Sequence, residues 1–309
     1  MKLRFFFLTF FILNFIFALN TKGQSGFGIN KTLSDSLSSF VASLQLNKDF
    51  NVGEDGIEQI SLAVIDLNSD EPKFGGVNPD NFIYPASVYK MYVAAQVLAQ
   101  VSEGKYSLST KHIVKEHNAV DKTKEITDDP RPLIKAGDTL TINYLLDLMI
   151  TRSDNSAANC LIDIATRPLI NKMMEEYNWQ GSEVTRKFLK RKVEDAGYDT
   201  VRSTVTCARH AAEFMYRIYS NGMINPWVSQ QLKCLLGRQL DKSKLASGLP
   251  KDVMFYHKTG WFSYWTNDVG IIDNGKIKYI IACFLPLEEE AALPLMKKLS
   301  EKIFRITSM

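Results

Sequence analysis

The order of apolar patterns along the 309 residues predicts an α/β fold: an antiparallel sheet flanked by N- and C-terminal helices, with an all-helical subdomain inserted. Three observations carry this. Amphipathic helical patterns stand near both ends, two strand patterns follow the first of them, and three strand patterns precede the last. Between the strand groups the patterns are helical. A two-stranded hairpin is marginal in water by itself, so strands from both ends must share one sheet. The expected boundaries are a leader over 1–24, a sheet subdomain over about 25–80 and 240–309, and a helical subdomain over about 81–239, with a cleft between the two.

Met1-Lys2-Leu3-Arg4 followed by the apolar run 5–19 has the charged start and short greasy stretch of a secretory signal peptide, with cleavage expected between Asn20 and Ser25. Leu33, Leu37, Phe40, Val41 and Leu44 fall at helical spacing over 32–46. Residues 57–67 alternate as a strand, 68–72 form a turn and 73–76 begin a return strand. Pro85 suits the first turn of a helix reaching about residue 101, with Val88, Met91, Ala95 and Leu98 on one face. The clearest helical stretches beyond are 140–149, 155–164 and 206–219. Strand patterns return at 254–259, 268–272 and 277–284, and Thr266-Asn267-Asp268 reads as a turn leading into the second. A last helix over about 293–306 is opened by Pro294, with Leu295, Leu299 and Ile303 inward.

Lys2, Arg4 and Lys22 account for the whole formal charge of +3, so the mature chain is near neutral and net charge gives no reason to expect a nucleic-acid partner. No second apolar stretch is long enough to cross a bilayer, and no stable membrane anchor is expected after cleavage. Cys160, Cys207, Cys234 and Cys283 lie far apart in apolar or helical contexts and read as buried thiols. The four His residues show no metal-ligand spacing with each other or with any Cys. No metal or cofactor is expected, and a monomer is.

Three short strings carry chemistry: Ser87-Val88-Tyr89-Lys90, Ser153-Asp154-Asn155 and Lys258-Thr259-Gly260. A Ser three positions before a Lys arises about once by chance in a chain of this size, and Ser102-Glu103-Gly104-Lys105 is such a match, read as the solvated end of its helix. The other two strings are rarer, and their order makes coincidence improbable. Ser87 is expected in the first turn of its helix, where N–H groups and the helix dipole favour developing negative charge. Lys90, one turn on, could take the Ser87 proton as a neutral amine if burial lowers its pKa. Ser153 in an interhelical turn can relay a proton to a leaving nitrogen, and Asn155 can face both Lys90 and a substrate amide. Asp154 is expected to brace the turn. Lys258 and Thr259 can bind a carboxylate at a strand end, where Gly260 lets a substrate backbone approach.

In this order the strings resemble those of the penicillin-recognising serine enzymes, and the Ser-Asp-Asn form is most similar to the class A β-lactamases. The resemblance covers nearly all of the mature chain. It implies that Ser87 is acylated by a strained lactam, that the backbone N–H groups of Ser87 and Trp261 form the oxyanion hole, and that Asn155, Lys258 and Thr259 hold the substrate. It further implies a small-molecule substrate, a β-lactam or a peptidoglycan-stem-like compound, and a periplasmic or extracellular enzyme. The departure lies between Trp179 and Thr206. Class A enzymes carry there a Glu, closely followed by Leu-Asn, that activates the deacylating water; the matching place falls near Leu189 to Arg191, where no Glu stands. Glu194, a few residues on, is the nearby acid, and a solvated loop position is the better reading of it. Three functions follow as expectations: a class A-like β-lactamase, a penicillin-binding D-alanyl-D-alanine peptidase that needs no loop Glu, and a non-catalytic sensor.

Overall fold

The computed structural model describes residues 27–53, 56–188 and 203–308. The leader and Glu194 lie outside these. In chain order the main elements are α1 Lys31–Ser43, β1 Ser61–Asp66, β2 Lys73–Val77, α2 Lys90–Ser102, α3 Ile142–Thr151, α4 Asn155–Ala165, α5 Arg167–Glu176, α6 Ala208–Tyr219, α7 Pro226–Leu236, β3 Met254–Phe262, β4 Trp265–Asp273, β5 Lys278–Leu285 and α8 Glu289–Thr307. The five strands form one antiparallel sheet in the order β2-β1-β5-β4-β3. Strands from the two ends meet at β1 and β5, with Ser61 opposite Phe284 and Asp66 opposite Tyr279.

Both faces of the sheet are covered, and β5 shows how. Tyr279, Ile281, Cys283 and Leu285 join Leu37 and Val41 of α1 and Met296, Leu299 and Ile303 of α8 on one side. Ile280, Ala282 and Phe284 join the helical subdomain on the other. The period-2 alternation of a strand places apolar residues at every position when both faces are buried. Asn30 caps α1, its Oδ1 accepting from Leu33 N at 2.9 Å.

Several local expectations are corrected. α2 is buried on every side from Lys90 to Gln100, because α3, α4, α5 and α7 surround it. The residues before it, Ala86–Tyr89, form a 3-10 turn, so Ser87 does not sit in the first α-helical turn. Thr266-Asn267-Asp268 is buried within β4, paired across to Thr259, Gly260 and Trp261. Pro294 lies inside α8, which begins at Glu289. Cys160, Cys207 and Cys283 are buried thiols, but Cys234 is exposed on α7. The chance match ends α2 at Ser102, and Gly104 turns the chain away at φ +76°.

Candidate active site

The three strings converge where the helical subdomain meets the edge strand β3. Ser87 is half-buried in its 3-10 turn, entered through Ala86 at φ +45°. A non-glycine residue there costs about 1 kcal/mol, so the surroundings must hold the turn in place. β3 does so closely. A Cβ at Gly260 would lie 2.8 Å from Ser87 N and 2.8 Å from Pro85 O, so any side chain there would push strand and turn apart.

Lys90 opens α2, its N–H donating to Ser87 O. Its side chain is fully buried, and Nζ donates to Ser153 O at 2.5 Å, Asn155 Oδ1 at 2.9 Å and Ser153 Oγ at 3.3 Å. Lys258 on β3 is equally buried, donating to the same Ser153 Oγ at 3.0 Å and to Thr259 O at 2.8 Å. Among the described residues neither lysine has a carboxylate within ion-pair distance, and one hydroxyl oxygen serves both. Burial pushes Lys90 below the ordinary lysine range. It does the same to Lys258, helped by the positive charge of Lys90.

Ser153 lies in the left-handed region, φ +62°, between α3 and α4. The turn is tight: Arg152 N and Asp154 N both donate to Leu148 O, at 3.3 and 3.2 Å. Asp154 caps α4, Oδ1 accepting from Ala157 N at 2.7 Å, so it braces the turn from inside. Asp121 holds the start of α4 from across the cleft, accepting from Asn155 N at 2.7 Å, Asn155 Nδ2 at 2.8 Å and Ser156 N at 3.2 Å. With Nδ2 on Asp121 and Oδ1 on Lys90, the Asn155 amide has one orientation.

The cleft, about 360 Å³, is lined by Asp121, Glu125, Ser153, Asn155 and Trp261 among others. Thr259 Oγ1 is buried without a hydrogen-bond partner, a donor left over beside the Lys258 ammonium. Trp261 is 44% exposed, and its Nε1 donates to Glu125 Oε1 at 3.2 Å across the mouth. Behind Lys258, the buried His257 stacks on Phe255 at 4.1 Å and pairs through Nδ1 with Asp268 Oδ1 at 2.9 Å, which anchors the strand.

The loop after Trp179 enters beside α4. Phe188 exchanges two backbone hydrogen bonds with the Asn159 amide, each 2.8 Å, one helical turn beyond Asn155. Lys187 is buried on Asp163 at 2.6 Å and Asn118 Oδ1 at 2.9 Å, so part of the basic stretch is structural. At the described end of this loop the Phe188 ring stands edge-on to Phe262 at 6.2 Å. Leu189 to Arg191 and Glu194 lie outside the described residues. Sequence reading missed Asp121, Glu125 and Arg152. Polar loop residues have no periodicity to mark them, and Asp121 meets a partner 34 positions away.

The model of the beta-lactamase enzyme family matches residues 45–307. The β-lactamase BRO-1 of Moraxella catarrhalis is 25% identical over 233 residues, 74% of this chain and 70% of that protein. Among solved structures, a β-lactamase from Sphaerobacter thermophilus covers 88% of this chain and 97% of its own, with 17% identity and a TM-score of 0.73. A variant of PBP-A, solved as an acyl-enzyme complex with penicillin G, covers 92% of this chain and 98% of its own, with 20% identity and a TM-score of 0.71. Both have the same fold.

Proposed function

Because this chain belongs to the beta-lactamase enzyme family, we propose that it is an exported serine enzyme that opens β-lactam rings through an acyl-Ser87 intermediate. One observation carries the reading. Two buried lysines, with no carboxylate within ion-pair distance among the described residues, share the hydroxyl of Ser153 beside the strained turn that presents Ser87.

In the proposed reaction neutral Lys90 accepts the Ser87 proton as Oγ attacks the lactam carbonyl. The oxyanion forms against the backbone N–H groups of Ser87 and of Trp261, the residue after the bare Gly260 that packs against Ser87 N. The proton returns from Lys90 through Ser153 Oγ to the lactam nitrogen as the C–N bond breaks. Lys258 and the unpartnered Thr259 hydroxyl receive the substrate carboxylate, and the Asn155 Nδ2 hydrogen not used by Asp121 meets the acyl amide.

A second reading is favoured by the loop sequence. No Glu stands at Leu189 to Arg191, the place that matches the class A deacylation residue, which supports acylation without fast hydrolysis, as in a D-alanyl-D-alanine peptidase that penicillin traps. A variant of PBP-A, a protein of the same fold, has been captured as an acyl-enzyme with penicillin G. Intact-mass spectrometry with penicillin G over time separates the two: an adduct that forms and clears with product release supports the β-lactamase, a persistent one the peptidase. The adduct should vanish in Ser87→Ala; no adduct in the wild type rejects both.

A further inference from the structure

Arg152 is among the largest fully buried side chains, and every polar contact of its guanidinium is made. Nε and Nη2 donate to Asp154 Oδ2 at 3.2 and 2.8 Å, Nη1 to Asp129 Oδ2 at 3.4 Å and to Arg131 O at 2.7 Å, and Nη2 to Pro132 O at 2.8 Å. Asp129 is held in turn by Arg131, whose Nη2 lies 2.8 Å from its Oδ2. The ion pair between residues 152 and 154 straddles Ser153. Ser153, held between them, meets Lys90 through O and Oγ and Lys258 through Oγ, on the wall of the cleft that Arg152 and Asp154 also line.

We infer that Arg152 is the positioning residue of Ser153: its bridge to Asp154, anchored on Asp129 and the carbonyls of Arg131 and Pro132, holds the left-handed turn that presents Ser153 to both lysines. Only a planar fork with five N–H donors can serve two carboxylates and two carbonyls from one buried position, so lysine is no substitute. The inference rests on the proposed role of Ser153 in proton transfer.

The test is R152K, which preserves the charge, with D129N as a milder variant that leaves the arginine in place. Acylation by penicillin G is followed by stopped flow from pH 5 to 9, and folding by circular dichroism. In R152K the acylation rate is expected to fall about 10²-fold, the scale of a small misplacement of a reacting group, and in D129N by less. The acid limb of the profile should also move to lower pH. Lys90 is faced by Asn155 Oδ1, Lys258 and Ser153, and at longer range by Glu125, Asp121 and Asp154; of these only the Ser153 contacts are loosened, and losing them disfavours the charged amine. Titration of Lys90 by NMR at its ε-carbon should shift the same way, whether or not penicillin reacts. Folded variants whose acid limb and Lys90 titration stay at the wild-type position overturn the inference, even if their rate falls. A wild type that forms no adduct rejects the proposed function instead and leaves the NMR comparison to decide the role of Arg152.

Discussion

Two regions of this molecule bury lysines in opposite ways. At the cleft, Lys90 and Lys258 share a serine hydroxyl and have no carboxylate within ion-pair distance among the described residues. Behind it, Lys244 is just as deeply buried but lies 2.7 Å from Asp241 and 2.6 Å from Glu289, tying the segment before β3 to the start of α8. Burial pulls all three toward the neutral amine. At Lys244 the two carboxylates outweigh it and hold the group above the ordinary value; at Lys90 and Lys258 nothing does. The difference separates two uses of one residue type. A buried lysine paired with acids is held charged as a strut, whereas one with only neutral acceptors is pulled toward the neutral amine at a stability cost, which suits the base proposed for Lys90.

The contrast can be broken from either side. The largest effect is expected from Lys90→Met, which should slow acylation of Ser87 by about 10² to 10⁴-fold, the usual worth of a positioned base, with little loss of melting temperature. Rates of adduct formation by mass spectrometry and a thermal scan check both halves; an unchanged rate would show that Lys90 is also a strut. Lys244→Met should do the reverse. Leaving Asp241 and Glu289 facing an apolar side chain costs about 3 kcal/mol of stability in denaturant titration, while the folded fraction still acylates.

The smallest effect, and the sharpest discrimination, is in the pH dependence of stability. Lys258 is depressed in the folded state from the ordinary 10.5, so between its folded pKa and 10.5 the unfolded chain binds more protons and stability rises with pH. Lys244 is raised, so its contribution is complete below 10.5 and is lost as pH climbs through its folded pKa. Melting curves from pH 7 to 11 should therefore lose part of their rise in Lys258→Met and part of their high-pH fall in Lys244→Met. Matching curves for the two variants would erase the distinction.

The same contrast marks what could be read from the chain. The residues of the three strings were legible because each string is short and local: Ser87 in the 3-10 turn before α2 and Lys90 at its start, Ser153 to Asn155 between α3 and α4, and Lys258 to Gly260, which lie inside β3 rather than at the expected strand end. Arg152, Asp121 and Asp129 were not. Their partners are backbone carbonyls, a turn or a distant helix start, and nothing in a polar loop distinguishes them from solvated charge. The 3-10 turn at Ser87 was illegible too, because Pro85 is compatible with either helix type and the packing of β3 against the turn is a long-range contact.

By itself the sequence determined the end helices and the five strands, that strands from both ends share one sheet, and which side chains stand in the three strings, since these follow from local periodicity and residue type. Tertiary structure decided which buried amine is paired with carboxylates and which is not. Lys90 meets Ser153 across 63 positions, and Lys258 meets it across 105. Desolvation and shared acceptors act through space, so the charge state of these lysines is settled only when the helical subdomain closes on the sheet edge.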